Sequence, residues 1–512
     1  MKYITIDGEN LKLEQIEEVA YGKALVKLSQ KAIPKINRCR KYVEEIVRRG
    51  ETVYGINTGF GKLCRVKISP VEIEKLQKNL ILSHAIGVGP VFCEEEVRAA
   101  VLLQANVLAK GYSGVRLEVI ENLIRLVNSG VTPMVPEKGS VGASGDLAPL
   151  SFIALVLIGE GWAFYPNLDP WDKKRLLSGK QALKKAGIKP LKLSAKEGIA
   201  LINGTEMMTS LGVLTLLKGE RLAELADMAG ALSCEAALAT PVAFDEDLQK
   251  VRAHKGQKFS AYNLVQLMKN SQIREFHKAC PKVQDPYSFR CMPQVHGAVR
   301  DVLGYVRSVL EIEVNSVTDN PLIFPEKNKI ISGGNFHGEP VALALDFLGI
   351  AMAELASISE RRIACLMDPN ITDLPAFLIS EPGINSGLMM AQTTAAALVS
   401  ENKILAHPAS VDSIPTSLNQ EDHVSMGTIS SRKAREIANN VEEVLAIEFL
   451  CAYQGVCFRA PLKPGIGTNK IFNRIKQRVK EIKEDRILVG DLVKIKELMS
   501  DFGSIGRGKF GM

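Results

Sequence analysis

Aromatic side chains are scarce in this sequence: they make up 6% of 512 residues, and Trp occurs twice. With 46% hydrophobic residues the core must be aliphatic, and at this length it can be large. An excess of one charge is also missing. The net charge is +7, and basic residues alternate with acids, as in Arg474 to Arg486. That pattern describes a solvated helix face and excludes a nucleic-acid stripe. The nine cysteines include no CxxC, which predicts reduced thiols in a cytoplasmic protein, and no metal-ligand spacing occurs. Met1-Lys2-Tyr3-Ile4 opens no signal-peptide h-region, and the longest apolar run, Leu150 to Ile158, is too short to cross a bilayer. Neither nucleic acid, nor membrane, nor metal is expected as a partner.

What is present is helical periodicity. The expected fold is mainly α: a mixed N-terminal domain over 1–200, then a bundle of long helices over 201–512. Lys2 to Ile6 predicts a short strand, and Leu13 to Arg49 predicts helices broken at Pro34. Helical patterns recur over Ile68 to Ala85 and Glu94 to Lys110. Long helices are predicted over Thr205 to Leu238, Gln294 to Ser316, Pro340 to Met367, Gly387 to Leu405 and Val424 to Ala452. They are rich in Ala, Leu, Ile, Met and Glu. Gly387 to Leu405 carries few charges, which predicts burial on more than one side and an oligomer. Polar connectors lie between them, at Val283 to Pro293, Thr318 to Pro340 and Pro408 to His423. Connectors of that kind often carry function.

The most informative stretch is Gly139-Ser140-Val141-Gly142-Ala143-Ser144-Gly145-Asp146-Leu147-Ala148-Pro149-Leu150. The Gly145 nitrogen can attack the Ala143 carbonyl and close an imidazolone ring. Loss of the Ser144 hydroxyl then leaves an exocyclic methylene, an electrophile that no standard side chain provides. Gly145 has no Cβ to hinder the approach. The glycines are not followed by Lys-Ser/Thr, so a P-loop does not fit. Two prolines between Val131 and Lys138 argue against the strand a dinucleotide fingerprint needs.

The whole run resembles, without a gap, the signature of the aromatic amino-acid ammonia-lyases and aminomutases. These enzymes carry 4-methylidene-imidazol-5-one (MIO), formed autocatalytically. The resemblance implies a fumarase/aspartase-like fold with a central helical bundle, a homotetramer, and active sites lined by more than one chain. It also implies that Ala143, Ser144 and Gly145 become MIO, with no external cofactor.

Five further segments share the resemblance. In Tyr54-Gly55-Ile56-Asn57-Thr58-Gly59-Phe60-Gly61 the glycines suit a mobile lid. The family match makes Tyr54 the base for the substrate β-proton. A free phenol titrates near ~10, so the site must lower that value or stabilise phenolate another way. Ser83-His84 matches the histidine-specific pattern, in which the histidine contacts the substrate imidazole. Phenylalanine-specific relatives have Phe-Leu there, and many tyrosine-specific ones His-Leu. In Asn203-Gly204-Thr205-Glu206 the asparagine matches a residue that hydrogen-bonds MIO or substrate, while Glu206 stands where histidine-specific enzymes usually have Gln. In Val283-Gln284-Asp285-Pro286-Tyr287-Ser288-Phe289-Arg290-Cys291, Arg290 offers a planar fork for an α-carboxylate. There Gln284 and Tyr287 match residues that line the site, with Tyr287 near MIO.

The last segment has two parts. Phe336, in Gly333-Gly334-Asn335-Phe336-His337-Gly338-Glu339, matches a residue that packs beside MIO. Glu421, in Asn419-Gln420-Glu421-Asp422-His423, matches the acid that histidine-specific members place near the substrate. An imidazole has two nitrogens that need polar partners, and His84 with Glu421 can supply them. A phenyl ring would leave both groups unpaired. The resemblance therefore implies non-oxidative deamination of histidine to trans-urocanate and ammonia. The alternatives are a tyrosine or phenylalanine ammonia-lyase, or an MIO aminomutase. A non-catalytic helical protein on the same scaffold is disfavoured by the intact tripeptide with Tyr54 and Arg290.

Overall fold

The computed structural model describes residues 2–166, 175–277 and 283–506. Two compact units emerge, each assembled from separate stretches of chain. The first takes Met1–Leu214, Arg307–Asp346 and Pro408–Arg432; the second takes Thr215–Val306, Phe347–His407 and Lys433–Met512.

All strands of the described residues lie in the first unit. Lys2–Ile6 forms as expected and pairs in parallel with Ala24–Leu28. That second strand was hidden in a stretch read as helical. Pro34 also behaves differently: it sits in the first turn of the Ile33–Arg49 helix, where its missing N–H costs no hydrogen bond. The Val131–Lys138 stretch does hold strands despite its prolines. They are short: Thr132–Pro133 pairs with Trp162–Phe164, and Pro136–Lys138 with Val88–Val91.

The long helices fall close to their predicted limits, at Glu206–Ala237, Met292–Glu313, Glu339–Leu366, Met389–Leu405 and Gly427–Cys457. Among the described residues Glu339–Leu366 is the one helix long and apolar enough to cross a membrane by length and composition, and 67% of its most apolar window is buried within the protein. Met389–Leu405 departs from expectation. Within the chain only Ala395 and Asn402 of this helix are buried, so its low charge does not mark a place in the chain's own core.

The second unit contains a fully buried polar network. Arg362 grips Glu448 with Nε at 2.6 Å and Nη2 at 2.8 Å, and Ser233 and Ser359 donate to the same carboxylate. His296 Nδ1 lies 2.8 Å from Asp227, which Arg300 also holds at 2.7 Å. Buried charges are tolerated when paired and hydrogen-bonded in this way.

Eight cysteines fall among the described residues and none forms a disulfide; Cys280 lies outside them. No group of three potential metal ligands occurs among the described residues.

Candidate active site

The tripeptide lies in the loop between Pro136–Lys138 and the Ala148–Leu157 helix. Gly145 has φ +74°, and its backbone pairs with Gly204. A Cβ there would lie 2.0 Å from the Gly204 carbonyl oxygen, so only glycine fits. The next N–H, that of Asp146, donates to that oxygen at 2.7 Å. The other wall is the 424–427 segment: Met426 N donates to Val141 O at 2.9 Å, and Ser425 Oγ to Gly142 O at 3.1 Å. Ala143 packs with Val424 and Met426 in a small apolar cluster.

Asp146 is buried, and its carboxylate caps the Glu206–Ala237 helix. It accepts from Met207 N at 2.6 Å, Met208 N at 3.2 Å and Thr428 Oγ1 at 3.1 Å. Helix N-terminal N–H groups welcome such a charge. Burial nevertheless pushes this carboxyl up to about 7. Asn203 precedes that helix. With its amide oriented to suit both neighbours, Nδ2 donates to the Ser144 carbonyl at 3.1 Å and Oδ1 accepts from Asn320 N at 2.9 Å.

Ser144 Oγ donates to Glu421 Oε1 at 3.2 Å, and Thr416 Oγ1 donates to Glu421 Oε2 at 2.7 Å. Thr416 and Glu421 also pair through their backbones. The turn between them is unusual: Ser417, Leu418 and Asn419 all have left-handed φ, at 51°, 56° and 61°. Such a turn costs roughly 1–2 kcal/mol per non-glycine residue. The surrounding contacts hold that strain beneath the acid.

His84 ends the Ile73–His84 helix. Its Nδ1 lies 2.9 Å from Leu80 O and 3.0 Å from Ser83 Oγ. The Leu80 carbonyl can only accept, which assigns the proton to Nδ1 and leaves Nε2 as an acceptor. Burial lowers the His84 pKa, opposed by the charge of Glu421. Tyr54 accepts from Gly61 N at 3.3 Å. Burial pushes its phenol above the ordinary value, and Cys64 and Glu421 add to that. The lowered phenol that a base requires is thus not produced by these residues of the chain.

Phe336 is half-buried in the same unit. Its segment meets the Glu421 segment: His337 Nε2 lies 3.2 Å from His423 O, and the two rings stack at 5.8 Å. Gln284, Tyr287 and Arg290 belong to the second unit. Tyr287–Arg290 forms one helical turn, with the Arg290 guanidinium 4.6 Å from the centre of the Tyr287 ring. Arg290 Nε is buried without a partner, and Gln284 and Tyr287 are exposed. Thr416 and Asn320 lie in connectors that the sequence singles out, but nothing in the sequence marks these two residues themselves. Asp146 and His423 lay inside motifs but had no assigned role.

The family model for aromatic amino acid lyases matches residues 11–477. The chain belongs to that family. Among curated relatives of this aromatic amino acid lyase, the histidine ammonia-lyase of Caldanaerobacter subterraneus subsp. tengcongensis is 52% identical over 492 residues, which is 96% of this chain and 95% of that one. Among solved structures, histidine ammonia-lyase from Trypanosoma cruzi aligns with TM-score 0.90 and 42% identity, covering 99% of this chain and 94% of that one. Tyrosine aminomutase from Streptomyces globisporus aligns with TM-score 0.91 and 37% identity, covering 98% of each.

Proposed function

We propose that this chain is a carbon–nitrogen lyase that converts L-histidine to trans-urocanate and ammonia, the opening step of histidine degradation. The observation that carries the reading is the joint placement of Glu421 against Ser144 and within electrostatic reach of His84. A carboxylate acceptor and a neutral imidazole beside the tripeptide suit a substrate ring with polar nitrogens. Relatives about 50% identical over nearly the full chain bear the name histidine ammonia-lyase.

The residues fit MIO. Gly145 has the backbone freedom the ring needs, and Gly204 leaves no room for a Cβ. Asn203 already donates to the Ser144 carbonyl, the oxygen that cyclisation would retain. The group supplies an electrophile for the substrate amine, which makes nitrogen a better leaving group. Arg290 binds the α-carboxylate, and its partnerless Nε is a donor available for it. His84 and Glu421 orient the imidazole. Gln284, Tyr287 and Phe336 line the site. Tyr54 removes the β-proton. Because burial disfavours its phenolate, a donor or positive charge from the substrate or another subunit must complete that base.

The assembly we infer is a homotetramer with shared sites. Met389–Leu405 leaves most of its surface uncovered, and Leu343, Phe347 and Ile350 form an exposed apolar stripe on Glu339–Leu366. Light scattering tests this: a fully active monomer overturns it. The free thiols suit a reducing cytoplasm, where we place the enzyme.

Incubation with histidine, phenylalanine and tyrosine separately, followed by product identification, tests the function. Urocanate and ammonia from histidine are expected. A β-amino acid product establishes an aminomutase, and preference for phenylalanine or tyrosine overturns the pocket assignment.

A further inference from the structure

Glu206 opens the Glu206–Ala237 helix and is 2% exposed. Its Oε1 accepts from Thr318 Oγ1 at 3.0 Å, while its Oε2 is buried with no partner. Asp319, which acts on Glu206, is itself paired with Lys196 at 2.6 Å. The charges that act most strongly on Glu206 are acids. Asp146 and Asp319 act on Glu206, and Glu313, hydrogen-bonded to Thr205, acts on Asp146. Two carboxyls this close in a dry interior do not both ionise readily, and the better solvated one takes the charge. Asp146 has two helix-end N–H groups and Thr428; Glu206 has its own backbone N–H and Thr318.

We propose that Glu206 works as a neutral carboxylic acid, a positioning residue that keeps Asn203 on the Ser144 carbonyl, and that losing its proton loosens the site. It acts through two connections. Thr318 ties it to the segment whose Asn320 N–H donates to Asn203, and Asn203 donates to Ser144. Gly204, between Asn203 and Glu206, pairs with Gly145. A charge on Glu206 would repel Asp146 and drive the carboxyl toward water, drawing Thr318 and Asn320 with it. Burial raises Glu206 to about 8 and Asp146 to about 7, the order that their donors predict.

The sign is fixed by linkage. A carboxyl raised from about 4.3 in the unfolded chain stabilises the fold fully at low pH, and loses that contribution as pH rises through its folded value. Glu206→Gln is neutral throughout. Melting temperatures of the full-length proteins at pH 6 and pH 9 should show the variant's position relative to the natural chain improving by about 2 °C or more on the alkaline side. Hydrogen exchange of the Thr318–Asn320 segment, corrected for intrinsic rates, should accelerate above pH 8 in the natural chain and not in the variant. A melting difference that is flat with pH overturns the neutral acid; equal exchange in both proteins overturns the positioning role. The effect on turnover rests on the proposed function. There kcat at saturating histidine should fall at higher pH in Glu206→Gln than in the natural chain, and coincident alkaline limbs overturn the link to catalysis. If neither protein deaminates histidine, the functional reading fails, while melting and exchange still decide Glu206.

Discussion

Ser144 and Glu421 are separated by 277 positions, yet Ser144 Oγ donates to Glu421 Oε1 at 3.2 Å. In the proposed function, the hydroxyl that would leave as water is therefore held by the acid proposed to face the substrate ring. When that hydroxyl departs, Oε1 loses its donor while Oε2 stays on Thr416. An imidazole N–H can then take the vacated place. One carboxylate would thus serve both steps of the proposed function.

The first prediction concerns that maturation. The folded chain should be lighter than its sequence mass by two waters, and Ser144→Ala should keep the fold but lose all turnover. Intact-mass spectrometry with thermal melting checks both. A fully active chain at its unmodified mass contradicts the dehydration.

Selectivity follows from the buried polar pair. Glu421→Gln should lower kcat/KM for histidine roughly 10- to 100-fold, from the ~1–3 kcal/mol cost of an imperfectly satisfied buried group. Ser83→Phe with His84→Leu should lower it further and admit phenylalanine, because the penalty against a phenyl ring goes with the polar group. Steady-state kinetics on both amino acids decide. Unchanged preference in the double variant removes His84 from the pocket.

Arg290→Lys should behave as a severe change. Lysine cannot make the bidentate fork, nor place a guanidinium over the Tyr287 ring as Arg290 does at 4.6 Å. We expect KM to rise and kcat to fall, each about tenfold or more, since a misoriented substrate reacts slowly. Near-normal values for both constants exclude Arg290 from carboxylate binding.

The second unit supplies a test of acid stability. Burial first, and the charge of Arg362 after it, hold His296 below its ordinary value. The unfolded histidine titrates near ~6.5, so it takes a proton before the folded one does. Stability that this neutral histidine contributes is present above that pH and is lost as pH falls toward the folded value. His296→Gln should start less stable at pH 7 but lose less melting temperature between pH 7 and pH 5. Parallel curves for the two proteins refute the assignment.

Much of this was legible in the sequence, for identifiable reasons. The tripeptide announces itself because cyclisation is local chemistry among adjacent residues. The long helices follow from a 3.6-residue period sustained over many turns, so their ends fell within about five residues of prediction. The contact of the Arg290 guanidinium with the Tyr287 ring, an i,i+3 pair on one helical turn, was not anticipated. The Ala24–Leu28 strand was missed because five residues cannot outweigh flanking helical signal, and Pro34 was misplaced because proline both starts and stops helices.

By itself, then, the sequence determined the family-matching tripeptide run, the helical class and the polar residues proposed to choose a substrate. Only the tertiary structure decided which of them meet. It brought Glu421 to Ser144 on a left-handed turn, set Asp146 on the end of the Glu206–Ala237 helix, and left Glu206 buried with an unpaired oxygen. Protonation states depend on burial and neighbours, and neither exists until segments hundreds of residues apart are packed together.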